Sequence, residues 1–200
     1  MIDEGVIKFE CDWTEGPPPS AQSVYELNTT RQRLYQRGLI GHDANANVDY
    51  GNISIRGPGA DQMLITGTQT GHIPRLAPQH FALVTGWDIV SNQVSCVGAI
   101  KASAETLTHA AIYGLSAAIG AVIHVHHQAL WEKLCGTITT TDAGTAYGTP
   151  EMAKEFQALY QETDLAQQKI AAMGGHPGGL ISFGDSLAEA EQRLLDYLPG

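Results

Sequence analysis

The run Ala121–His126, AVIHVH, leaves the chain that carries it few options. Three of its six residues are β-branched, a Gly precedes it, and so short an apolar run reads as a buried strand. Side chains of a strand alternate between faces, so His124 and His126 share one face and His127 takes the other. Histidine is an unusual residue to crowd at the end of an apolar strand. Two imidazoles on one face of a rigid strand make half of a tetrahedral metal site, and catalytic zinc usually takes three protein ligands. On the residues alone the third ligand is open among His42, His72, His80, His109 and His176. The plain alternative is strand-end histidines satisfied by backbone carbonyls.

The sequence around this strand changes period along its length. Residues 1 to about 20 read as an arm ending in EGPPPS, where three prolines exclude a helix. Ser23–Arg37 places Val24, Leu27, Leu34 and Tyr35 at helical spacing, closed by Gly38. GHDANANVDYGNISIRGPG reads as a loop entering a short strand at Ile53–Arg56, and QMLIT as a second strand. FALVT and VSCVGAI predict a β-hairpin. Ala104–Ile119 carries a helical stripe, and QALWEKL after the histidines is a short helix. TPEMAKEFQALYQETDLAQQKIAAM predicts the longest helix, with Thr149 as N-cap and Pro150 at its first position. GLISFG is a last strand and Leu187–Leu198 a closing helix. A hairpin in the first half and alternating strands and helices in the second predict one α/β domain over 23–200, preceded by an arm over 1–22. Its expected architecture is an α/β sandwich around a mixed sheet.

Composition narrows the partners. Of 200 residues 43% are hydrophobic, enough for a sizeable core, and the net charge is -10 with only 11 Lys and Arg. A protein that neutralises nucleic-acid phosphates needs a basic face, so no nucleic acid is expected. An anionic membrane surface is equally unattractive, and the longest apolar run is too short to span a bilayer. MIDEGVIKFE is acidic and broken, unlike a secretory signal. Cys11, Cys96 and Cys135 are scattered and form no CxxC pair, which suits reduced thiols in a cytoplasmic setting.

Two further stretches add chemistry. In KASAETLTHAAIY, Ser103 stands at a helix start and Glu105 in its first turn, with His109 four residues on, along the same helical face. In GGHPGGLISFG, glycines around His176 permit close backbone approach. YGNISIRG and LITGTQTGHIP offer hydroxyls, an Asn amide and accessible backbone N–H groups, a set able to form an anion-binding nest, although neither is a P-loop.

Together and in this order, GNIS, LITGTQTG, ASAETLTHAAIY, AVIHVHH, YGTPEMA and HPGGLISFG resemble the class II aldolase/adducin family over roughly residues 23–198. That family holds zinc-dependent sugar-phosphate aldolases, related epimerases and dehydratases, and the adducin head domain. The resemblance implies that His124, His126 and His176 bind Zn2+ or another divalent transition metal, and that Glu105 is the general acid/base. It assigns Asn52, Thr68 and Ser103 to substrate phosphate, leaving His109 and His127 to packing or support. It also implies a three-layer α/β/α sandwich around a mixed, largely antiparallel sheet, a homotetramer and a small-molecule substrate. The expected function is a metal-dependent aldolase-like lyase on a small hydroxy-carbonyl compound, sugar or sugar-phosphate-like, in which zinc stabilises an enediolate. A dehydratase, an epimerase or a non-catalytic adducin-like interaction domain are the alternatives. Three departures matter: Ala104 replaces a phosphate-binding hydroxyl, GHPGG stands for the usual NHG, and a tyrosine that protonates the aldehyde oxygen has no counterpart. The missing hydroxyl predicts an anchoring group that is a carboxylate or a loosely held phosphate.

Overall fold

A computed structural model describes residues 5–59 and 61–198; the first four residues of the expected arm and the last two of the expected domain lie outside the described residues. In chain order the strands are β1 (Glu10–Glu15), β2 (Gly41–Asp43), β3 (Val48–Tyr50), β4 (Asn52–Arg56), β5 (Met63–Thr66), β6 (Phe81–Asp88), β7 (Gln93–Gly98), β8 (Ala121–His126), β9 (Ile170–Ala172) and β10 (Gly179–Gly184). The helices are α1 (Tyr25–Gln36), α2 (Thr106–Leu115), α3 (Gln128–Leu134), α4 (Pro150–Glu162), α5 (Leu165–Gln168) and α6 (Leu187–Leu195). Eight strands form one sheet in the order β1-β7-β6-β5-β4-β8-β10-β9. Among the strands of the described residues only the β1–β7 pairing is parallel, and β2 and β3 make a separate two-stranded ribbon.

The alternation of β8 sets the layers. Val122 packs with Leu107 and Phe156 of α2 and α4, while Ala121, Ile123 and Val125 pack with Leu27, Leu34 and Leu194 of α1 and α6. Both faces of the sheet are therefore covered, and the molecule is the three-layer sandwich around a mixed, largely antiparallel sheet that the sequence predicts. On the α2 side the apolar positions of β8 run out after Val122, and His124 and His126 continue that face.

Four segments differ from expectation, each for a local reason. The arm contributes β1, because Phe9, Cys11 and Trp13 alternate with Glu10 and Asp12 and pack against the core, an amphipathic pattern half hidden by the acids. The Cys11 and Cys96 sulfurs meet there at 3.9 Å as free thiols. The Asn- and Asp-rich segment is a hairpin, with Asp43 Oδ1 accepting the N–H groups of Asn45 and Ala46 and Asn47 at φ 53°. The longest helix stops at Glu162, where the Thr163 hydroxyl donates to Leu159 O and accepts from Leu165 N; after α5, Ile170–Ala172 joins the sheet edge. The helix expected over 104–119 covers Thr106–Leu115 and ends where Ser116 turns extended. Thr149 caps α4 as expected, accepting from Met152 N.

One buried cation braces the loop that follows β5. Arg31 is 1% exposed, donates to the carbonyls of Thr70, Gly71 and Pro74, and lies 4.6 Å over the Tyr35 ring. Burial pulls its guanidinium down to about 10, so it stays charged at neutral pH. Arg31→Met strips these three carbonyls of their donor and is expected to cost about 3 kcal/mol. Urea denaturation checks this; a midpoint equal to wild type would show that the brace contributes nothing.

Candidate metal centre

Three elements deliver the site. β8 carries His124 and His126 to its C-terminal end, the turn entering β10 carries His176, and the segment leading into α2 carries Glu105. Cross-strand register then fixes the neighbours: Asn52 of β4 lies opposite His124, and Gly179 of β10 opposite His126. Gly179 has to be glycine, because a Cβ there would stand 2.5 Å from His176 Cδ2. At Gly178, φ is +83°, and a Cβ there would stand 3.3 Å from His126 Nδ1.

His124, His126 and His176 are the described residues grouped as a metal-holding set, their ligand atoms all within 4.8 Å of one another. His126 Nε2 lies 3.1 Å from His124 Nε2 and 3.0 Å from His176 Nε2. One Nε2 has either a single proton or a single in-plane lone pair, so it cannot make two well-directed hydrogen bonds to neutral rings. Tetrahedral zinc with bonds of 2.0–2.1 Å separates its nitrogens by about 3.3 Å, so the spacing fits a shared cation. His124 is fully buried; burial first, then the fields of His126, His176 and His109, hold it well below the ordinary histidine value and so neutral. With Leu180 O 3.2 Å from its Nδ1, the proton belongs there and the Nε2 lone pair faces the cluster. Glu105, 2% exposed, places Oε1 3.6 Å from His124 Nε2 and 3.4 Å from His176 Nε2.

Two cavities flank the cluster. A cleft of about 770 Å3 opens beside His126 and His176, walled also by Tyr50, Asp43 and Gln128. A much smaller pocket lies on the Glu105 side, and Asn52, Thr68 and Ser103 all line it. The residues singled out in the sequence therefore gather around one centre. The other histidines do not join it. His42 and His72 each approach Asp49 at 2.7 Å, and His80 Nδ1 accepts from Ala77 N. His127 caps α3, accepting from Leu130 N. His109 pairs with Ser54 Oγ at 2.7 Å inside the core, where burial takes it down to about 3. Reasoning from sequence overlooked Asp49 and Tyr50, which precede GNIS without any periodic signal, and the role of Tyr147, whose ring stacks 4.7 Å from that of His176. It overlooked Arg31 too, a charge concealed on the inner face of a helix.

The model of the family described as class II aldolase and adducin N-terminal domain matches residues 30–197. Among solved structures, L-fuculose 1-phosphate aldolase is 16% identical with a TM-score of 0.65, the match covering 90% of this chain and 84% of that one. YgbL from Escherichia coli is 20% identical with a TM-score of 0.63, covering 88% and 84%. A sugar-phosphate aldolase from Thermotoga maritima is 16% identical with a TM-score of 0.60, covering 88% and 90%. No curated protein sequence matches the chain. At these identities the solved structures establish the fold.

His126→Ala removes the ring that contacts both other imidazoles and is expected to abolish stoichiometric metal, measured by elemental analysis of protein loaded with zinc. Full occupancy in His124→Ala, His126→Ala and His176→Ala alike would exclude this centre.

Proposed function

The chain belongs to the class II aldolase and adducin family, and on that premise we propose that it is a metal-dependent, aldolase-type lyase acting on a small hydroxy-carbonyl compound. The observation that carries this reading is the convergence of three imidazole nitrogens, two of them on buried rings and the third on a half-buried one, beside a buried carboxylate. An interaction domain has no use for such a cluster, whose polar groups are costly to bury.

His124, His126 and His176 would hold the ion, and an all-nitrogen set suits zinc among divalent transition metals. When bound, the ion supplies Lewis-acid stabilisation of negative charge developing on a carbonyl oxygen. Neutral imidazoles leave its double charge undiminished. Glu105 Oε1 moves the proton to and from the substrate carbon, and its burial keeps that proton from bulk water. Asn52, Thr68 and Ser103 orient the far end of the substrate from the wall beside Glu105. Dehydration and epimerisation draw on the same groups, so product analysis separates them from C–C cleavage.

A homotetramer in the cytoplasm belongs to the same proposal. Free cysteines support the compartment, and no helix among the described residues is long and apolar enough to cross a membrane. The acidic balance of the chain argues against a nucleic-acid partner.

Glu105→Gln keeps the size and shape of the side chain and removes its basicity. Turnover is expected to fall ~10²–10⁴-fold while metal content and the far-ultraviolet circular dichroism spectrum stay as in wild type. Wild-type turnover would remove Glu105 from the chemistry, and loss of the metal would recast it as a ligand.

A further inference from the structure

The small pocket beside Glu105 is the one the family resemblance gives to phosphate, yet its walls suit a different group. Its free volume is about 20 Å3, room for about one water. Gly5 forms part of the wall. The chain just beyond is tied down, with the Tyr147 hydroxyl accepting from Val6 N at 3.3 Å and donating to Val6 O at 3.4 Å. The Lys8 ammonium sits 3.5 Å over the Tyr147 ring. The pocket is therefore narrow in this structure.

Charge points the same way. Asp49 is also in the wall, as is Glu105, and no Lys or Arg is among the described residues that line the pocket. Asp49 Oδ1 accepts from His42 Nδ1 and Oδ2 from His72 Nδ1, each at 2.7 Å. Burial pushes the Asp49 carboxyl up, but the hydrogen bonds from His72 and His42 outweigh it and hold the group below the usual carboxylate range. The carboxylate is therefore ionised at neutral pH. Ala104, where the family resemblance implies a second phosphate-binding hydroxyl, offers none. Asn52 Oδ1 is buried without a hydrogen-bond partner. As an acceptor it calls for a donor, which a hydroxyl supplies and a phosphate dianion does not.

We propose that this pocket receives the uncharged, hydroxyl-bearing end of an unphosphorylated hydroxy-carbonyl substrate, and that Asp49 excludes phosphorylated ones. The inference rests on the lyase reading above and departs from the anionic anchor that the sequence predicts.

Two probes separate the possibilities. Glycolohydroxamate and phosphoglycolohydroxamate share a metal-chelating end and differ only in the phosphate. Each is titrated into the full chain loaded with cobalt(II), binding being read from the visible absorption of the ion. Glycolohydroxamate is expected to bind about ten-fold or more tightly than its phosphorylated partner, since like charges brought together weaken binding steeply. Asp49→Asn is expected to close that gap by tightening the phosphorylated probe alone. Equal or tighter binding of the phosphorylated probe to wild type overturns the proposal and leaves the lyase reading standing. A gap that Asp49→Asn does not change removes Asp49 from the discrimination; should that variant not fold, Asp49→Thr replaces it. A cobalt spectrum that neither probe alters overturns both the proposal and the lyase reading.

Discussion

Three imidazole nitrogens crowded within about one van der Waals contact of each other are the constraint that organises this molecule. His126 Nε2 faces two other Nε2 atoms at 3.0 and 3.1 Å, and at most one of those contacts can be a well-directed hydrogen bond between neutral rings. Such crowding persists only where rigid elements impose it. Here β8 lies between β4 and β10, with helices on both faces of the sheet. The strand is extended by its β-branched residues and held in register on both sides, so the two histidines cannot turn away. The Gly-flanked turn before β10 brings the third ring over a backbone with no room for a side chain.

The same framework explains why charge around the centre is handled so carefully. His124 is neutral because burial makes it so, and its Nδ1 has a carbonyl to fix the tautomer. Glu105 brings a carboxylate oxygen to 3.6 Å from that ring and 3.4 Å from His176. On the far side of the small pocket, Asp49 is held by two further histidines whose rings never reach the cluster. Histidine thus plays four parts in one domain: ligand candidate, carboxylate partner, helix cap at His127 and core hydrogen-bond partner at His109.

How much of this was legible in the sequence depended on whether the signal was local. The AVIHVH strand, the hairpin of β6 and β7, and the Thr149 cap are each written in a handful of adjacent residues, and each stands where the sequence predicts it. The boundary of α4 was not legible, because the helical stripe of 149–173 runs on past Thr163 and only a hydroxyl competing for backbone groups stops it. β1 was hidden for the opposite reason: acids on its outer face mask the alternation of Phe9, Cys11 and Trp13. At the centre, the resemblance named His124, His126, His176 and Glu105, and the fold draws them together. Periodicity alone left the third histidine open, since nothing in spacing tells His176 from His42 or His72. Arg31 and the His72 contact of Asp49 act across about twenty to forty residues, farther than any local pattern reaches.

The sharing of this centre among β4, β8, β10 and the approach to α2 has a thermodynamic consequence. Its four principal side chains span residues 105 to 176, and Asn52 extends the set to a strand paired far earlier in the chain. No supersecondary fragment holds enough of them to bind an ion, so affinity exists only in the fully assembled domain. An ion bound there is then linked to global unfolding rather than to any local opening: at a free concentration one hundred times Kd it deepens the native well by about 2.7 kcal/mol for the whole domain at once. Sheet edges and loops would still fray at their own rates, while the central strands would exchange their amide protons only as slowly as the ion allows.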